Sequence, residues 1–466
     1  MKFLNTLALI GFAVLGSNAM RNIPSKELIK DIKIGWNLGN TLDAHCLDKL
    51  NYAQDQTASE TCWGNPKATS ALFKKLNQEG FNIFRIPTTW TGHFGEGPEY
   101  KIDATWMKRV HEVVDYALDT GSYAILNIHH ENWNYAFSNN LEAAKPILAA
   151  LWTQIATEFA NYDEHLIFEG MNEPRKVGSE VEWSGDKEGC DFVNEMNTLF
   201  IKTVRGTSGN NAIRHLMIPT YAAAVNDEVL GGYNFPSGDD KIIASVHSYT
   251  PYDFALAVDN TAISVFDNTQ PVDWAMNNIK RFLVDKNVPV IIGEFGAMNR
   301  NNDEERFKWA EYFVKSAKAL GVPCVLWDNG IFEGDGELFG IIDRTNLTIT
   351  YPLYVKGIMS GVNGGSSGNS NINNGNYQNN NQNNNQNNNQ YNNQNNNQNN
   401  NQNNQAAPVS SSTSQESSYL SCGSNDTACK SKMSDQCYAE LSECYRSGSD
   451  YAKCQEIGNI CGKIWN

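Results

Sequence analysis

Residues 288–327 read VPVIIGEFGAMNRNNDEERFKWAEYFVKSAKALGVPCVLW. An apolar run at 288–294 ends in a glutamate. An amphipathic helix is predicted over 304–320, Gly321 stops it, and a second apolar run follows at 323–327. Two strands joined through a helix run parallel, since a hairpin would need only a tight turn. The same alternation recurs outward from this unit. Strands are predicted at 32–38, 81–86, 123–129, 166–171, 215–220, 242–247, 288–294 and 323–327. Helices are predicted at 68–79, 105–120, 143–159, 191–204, 274–284 and 304–320, and the stretch between strands five and six is less clearly helical. Gly80, Gly121 and Gly321 each stand just past a helix, where a left-handed cap needs no Cβ. Eight strand–helix units predict an α/β fold of the closed (β/α)₈ TIM-barrel type rather than an open doubly wound sheet. No glycine-rich phosphate loop follows the first strand, which counts against dinucleotide binding.

The chain of 466 residues changes composition along its length. Residues 1–19 have a basic start, an apolar centre and small residues before Ala19, as in a secretory signal peptide cleaved after that residue. Residues 20–360 form the predicted barrel. Residues 361–418 are Gly/Ser and then Asn/Gln repeats with almost nothing apolar to bury, and read as a disordered tether. Residues 419–466 hold six of the ten cysteines and read as a small disulfide-held module. A zinc site there would need histidines or paired C-x-x-C ligands, and the segment has neither. Cys46 and Cys62 lie in one polar loop and are expected to pair, whereas Cys324 sits in an apolar run and reads as a buried thiol. A net charge of −16 without a basic cluster argues against nucleic acid as a partner. No segment is long and apolar enough for a membrane span, so a secreted, extracellular protein is expected.

Functional groups in such barrels gather at the C-terminal strand ends. There the sequence sets Trp36 and Asn37, Arg85, His129, Asn172 and Glu173, His247 and Tyr249, Glu294, and Trp327. Glu173 and Glu294 follow apolar strands on opposite sides of the barrel and can face one cleft. Paired carboxyls about 5 Å apart can protonate a departing glycosidic oxygen and attack the anomeric carbon, with retention. The acid must keep its proton, so its surroundings are expected to raise its pKa. Asn172 is placed to bond a sugar 2-hydroxyl, Arg85 and Tyr249 to orient the nucleophile, and His129 and His247 to meet sugar hydroxyls or the acid. His129-His130-Glu131 lacks the i, i+4 spacing of a helical zinc site, so no metal and no cofactor is expected. A non-catalytic glycan-binding barrel would lack one glutamate, and both are present.

Ile34-Gly-Trp-Asn-Leu-Gly-Asn-Thr-Leu-Asp43, Phe84-Arg-Ile-Pro87, Asn127-Ile-His-His-Glu131, Glu169-Gly-Met-Asn-Glu-Pro174, Ser245-Val-His-Ser-Tyr249 and Ile292-Gly-Glu-Phe-Gly296 together resemble glycoside hydrolase family 5. The opening motif resembles its endoglucanase-rich subfamily 4. The resemblance implies a retaining, metal-free endo-β-1,4-glucanase of the cellulase type, with Glu173 as acid/base and Glu294 as nucleophile. Arg85, His129, Asn172, His247, Tyr249 and Trp327 fall on its other active-site positions. His93 and Trp133 resemble subsite residues, and Trp36 and Asn37 join the substrate-binding set. The family also includes mannanases, xylanases and xyloglucanases, which leaves the polysaccharide open between β-glucan, xylan and xyloglucan. Barrel, Asn/Gln tether and cysteine module together resemble cellulases of anaerobic gut fungi. The module then reads either as a dockerin-like plug for a cellulosome scaffold or as a carbohydrate-binding module for a cellulose surface. It departs from the dockerin pattern in having no Cys-Trp near its start and no adjacent cysteines.

Overall fold

The computed structural model describes residues 20–364 and a scattering of positions from 419 to 464. The expected signal segment 1–19, nearly all of the tether and most of the cysteine module lie outside the described residues. Eight parallel strands close into a barrel: β1 Gly35–Asn37, β2 Ile83–Ile86, β3 Tyr123–Asn127, β4 Leu166–Glu169, β5 Leu216–Pro219, β6 Ile242–His247, β7 Val290–Phe295 and β8 Cys324–Leu326. β8 pairs with β1 through Gly35↔Val325 and Trp36↔Leu326, so no edge is left unpaired. Every residue of these strands is buried, which is why they read as apolar runs rather than alternating patterns.

The helices are α1 Ser25–Leu28, α2 Ser70–Gln78, α3 Ala104–Leu118, α4 Leu141–Glu158, α5 Lys187–Arg205, α6 Asp227–Gly232, α7 Tyr252–Ala255, α8 Gln270–Phe282, α9 Asp303–Ala319 and α10 Pro352–Val362. Within residues 20–364 the six expected helices are present in order, as α2, α3, α4, α5, α8 and α9, together with four that were not expected. The unclear stretch after strand five holds a 3₁₀ turn, Tyr221–Ala223, and the short α6, both too brief to show a helical period. Gly80, Gly121 and Gly321 all take positive φ, as their cap positions require. α10 runs to Val362, past the boundary expected at Ser360, because its buried Tyr354, Val355 and Ile358 complete the core against α9. No helix among the described residues is long and apolar enough to cross a membrane.

Inward-facing side chains change character along the barrel axis. Ile83, Ile125, Ile167, Met217, Ile243, Ile291 and Val325 form an apolar layer, closed below by Leu28, Ile29 and Ile32. Two residues further along their strands, on the same face, come Arg85, Asn127, Glu169 and Ser245. The base is therefore an oily plug and the mouth a polar one. Cys46 and Cys62 are joined, and Cys190 and Cys324 are free and buried, as expected for Cys324. In the C-terminal segment Cys422 is joined to Cys429.

Candidate active site

Arg85 is the hub of the polar mouth. It is fully buried, and each nitrogen is used: Nε donates to Glu169 Oε2 (2.6 Å), one terminal nitrogen to Glu294 Oε1 (2.7 Å) and Asn37 Oδ1 (2.9 Å), and the other to Asn172 Oδ1 (2.7 Å). Burial opposes its charge, but Glu169 and Glu294 outweigh burial and hold it ionised. A guanidinium fork in such a pocket fixes the direction of every acceptor around it. Because Asn172 accepts from Arg85, its amide N–H groups are turned toward the cleft it lines.

Glu294 reaches the cleft through an irregularity in β7. Strand parity sends Ile291 and Gly293 inward and would send Glu294 outward. The register against β6 slips here, so that His247 pairs with Glu294 after Val246 has paired with Ile292. Its second oxygen accepts from the Tyr249 hydroxyl at 2.8 Å. Burial and the Glu294 charge push the Tyr249 phenol well up, so it stays a donor.

Glu173 stands beyond the end of β4. Its Oε1 meets His247 Nδ1 at 2.7 Å, and its Oε2 lies 3.6 Å from the Arg175 guanidinium. Glu173, His247 and Glu294 each present one atom within 4.8 Å of the others. Burial pushes the Glu173 carboxyl up, but His247, Arg175 and Arg85 outweigh it and hold it below the usual carboxylate range. Conversely, burial lowers His247, yet the charges of Glu294 and Glu173 lift it above an ordinary imidazole.

His129 completes the floor. Asn127 Nδ2 lies 3.1 Å from its Nδ1, so Nδ1 accepts and the ring proton sits on Nε2. Burial and nearby cations hold the ring neutral. Its plane runs parallel to Trp327 at 5.9 Å. The cleft has a volume of about 570 Å³ and runs from His45 past His129 and Asn172 to Arg175 and Val177.

Four expected substrate contacts are placed differently. His93 is buried and sandwiched between Tyr52 (4.5 Å) and Trp106 (3.8 Å), its nitrogens taken by Gln56 and Ser59. Burial lowers it to about 3, so it is a neutral anchor for the loop above it. Trp133 donates its indole N–H to buried Glu131 at 2.7 Å, and Glu131 in turn accepts from the Trp90 N–H (2.6 Å) and the Thr91 N–H (3.1 Å), tying the β3 loop to the loop after β2. Trp36 lies in the core, bonded to Asp328, and Asn37 sits beneath Arg85, bonded to main-chain carbonyls. Sequence reasoning missed Asn127, Glu169 and Ser245 under the site, and Arg175, His45 and Asp48 along it. For the buried three, the period-two spacing from Ile125, Ile167 and Ile243 was the available signal.

The sequence profile described as Cellulase (glycosyl hydrolase family 5) matches residues 47–333. Endoglucanase B of Neocallimastix patriciarum is 63% identical over 362 residues, covering 78% of this chain and 76% of that protein. Among solved structures, a GH5-4 broad specificity endoglucanase from Ruminococcus champanellensis with bound cellotriose is 43% identical at TM-score 0.70, covering 73% of this chain and 100% of that one. A GH5 xyloglucan-specific endo-β-1,4-glucanase from a metagenomic library, in complex with cellotriose, is 43% identical at TM-score 0.68, over 72% of this chain and 98% of that one. With its closed eight-stranded barrel and its two glutamates at one mouth, the chain belongs to the cellulases of glycosyl hydrolase family 5.

Proposed function

We propose that this chain is a secreted endo-β-1,4-glucanase that cuts internal bonds of cellulose or related β-glucans with retention, using Glu294 as nucleophile and Glu173 as acid/base. The observation that carries this reading is the carboxylate pair, whose nearest atoms lie within 4.8 Å. That spacing suits direct attack and falls short of the roughly 6.5–9.5 Å at which a base activates a water on the far face of the sugar. Glu294, held by Arg85 and Tyr249, attacks the anomeric carbon and forms a glycosyl ester. Glu173 passes the proton it shares with His247 to the departing oxygen, then takes one from the water that hydrolyses the ester. The Asn172 amide is aimed to bond the 2-hydroxyl, a contact that strengthens as positive charge develops on the ring. Broad acceptance of β-glucans is favoured by the relatives' described activities, with xyloglucan the second reading on the xyloglucan-specific neighbour. The leader-like residues 1–19 and the disulfides support export to an oxidising compartment. The cysteine module is assigned to holding the enzyme at a cellulose surface or on a cellulosome scaffold, raising local concentration.

The test is viscosity loss against new reducing ends on soluble β-1,4-glucan, beside xylan, xyloglucan and mannan. A steep viscosity fall with few new ends is expected on the glucan. Cleavage of another polymer alone would replace the substrate. Glu294→Gln should reduce kcat by about a thousandfold or more with folding intact, and substantial residual turnover would remove it as nucleophile.

A further inference from the structure

Between β1 and α2 the chain runs through residues 38–69 with one short 3₁₀ turn, Ala58–Thr61, as its regular structure. Such a segment has few ladder hydrogen bonds to hold a shape, yet it presents His45, Leu47 and Asp48 to the cleft. Three ties fix it. The Cys46–Cys62 disulfide closes it on itself. The Tyr52 hydroxyl accepts the Cys46 N–H at 2.9 Å while the Tyr52 ring stacks on buried His93. Leu47 and Tyr52 both close over Gly92, where a Cβ would lie 2.6 Å from Leu47 and 2.8 Å from Tyr52, and where φ is +90°. Cys46 lies between His45 and Leu47, so the crosslink acts directly on cleft-facing residues.

The chemistry of this wall suits a sugar. Leu47 is held 50% exposed, an apolar surface kept in water by its neighbours. His45 stands edge-on to Trp63 (5.2 Å) and near His130 (5.8 Å). Asp48 adds a carboxylate acceptor. Polar groups that bond hydroxyls beside apolar surface that takes a pyranose face are what a ring-binding subsite needs. None of these residues touches Glu173 or Glu294 in the hydrogen-bond network described above.

We propose that the disulfide-stapled segment is an outer sugar-binding subsite, and that the Cys46–Cys62 bond sets affinity for long β-glucan chains without entering the bond-breaking step. This rests on the glucanase reading of the cleft. The experiment compares full-length wild type, the double variant C46S/C62S and, separately, Gly92→Ala on cellohexaose and on an aryl cellobioside. Both variants should raise KM for cellohexaose by about fivefold or more, the worth of one or two sugar contacts, and leave kcat on the aryl cellobioside within about twofold. Reductant should bring wild type to the double variant's KM and leave that variant unchanged. Equal losses on both substrates, or unchanged KM for cellohexaose, overturn the proposal. Wild type inactive on both substrates would instead defeat the glucanase reading itself.

Discussion

Glu173 and His247 lie 2.7 Å apart, close enough to share one proton along a hydrogen bond. Burial alone would keep that proton on the carboxyl. The structure instead sets an imidazole beside it, and sets Glu294 near the imidazole at 3.6 Å. The negative charges of Glu173 and Glu294 lift His247, and His247 in turn holds Glu173 down, so in the proposed mechanism the pair holds one proton between them for the departing oxygen. The pH consequence has a definite sign. The raised imidazole keeps its proton above the ordinary histidine range and loses it as pH rises through the raised value, so the alkaline limb of kcat/KM should lie above about pH 6.5. In His247→Gln the shared proton must reside on Glu173 alone, and the alkaline limb should move to lower pH by about one unit or more. A pH profile of kcat/KM for the two proteins decides this, and an unmoved limb would place the catalytic proton elsewhere.

At the scale of the strand, parity organises the site. Ile83–Arg85, Ile125–Asn127, Ile167–Glu169 and Ile243–Ser245 each pair an apolar inward residue with a polar one above it. Glu169 is the least expected of these. It accepts from Arg85, Asn127 and Ser245 at once and is fully buried, so it supplies part of the negative charge that lets a guanidinium sit inside the barrel. Removing one partner of a buried ion pair leaves the other uncompensated. Glu169→Gln should therefore cost about 3 kcal/mol of stability and lower kcat through a displaced Arg85. Denaturant unfolding would show the midpoint fall at constant slope, and a cost under about 1 kcal/mol would mean that Glu294 alone suffices for Arg85.

The same scale explains what was legible in the sequence. The strands, their order and the two glutamates could be read because buried parallel strands are apolar runs and the polar residues at their ends interrupt them. Glu169, Asn127 and Ser245 were hidden because each sits within such a run and looks like its end. Glu294 stands beside Glu173 and Arg85 although strand parity alone faces it outward, and the register slip that turns it inward has no sequence period. His93 was misplaced because its partners Tyr52 and Gln56 come from a loop with no regular structure, whose contacts follow from folding rather than spacing.

At the scale of the whole chain, the question is where the folded barrel ends. α10 is part of it. Tyr354 lies 3.9 Å from the buried Arg306 guanidinium and accepts the Ala297 N–H at 3.0 Å, just after β7. Tyr351 flanks the same guanidinium at 4.8 Å. Arg306 is fully buried, burial lowers its pKa, and its Nε donates to the Ala297 carbonyl. Without α10 that charge loses an aromatic face, and Ile358 and its neighbours leave the core open. A chain ending at Tyr351 should therefore lose about 4 kcal/mol or more, and with it the β7 loop that carries Glu294. A chain ending at Gly364 keeps the helix whole. It should retain kcat/KM on soluble β-glucan within about twofold, while losing whatever attachment to insoluble cellulose or scaffold the cysteine module provides. Thermal unfolding and pull-down on microcrystalline cellulose, run on both truncations and the full chain, separate the two effects. A Gly364 chain that unfolded early would mean that the barrel leans on the C-terminal module for stability, and that the tether joins two parts of one folding unit.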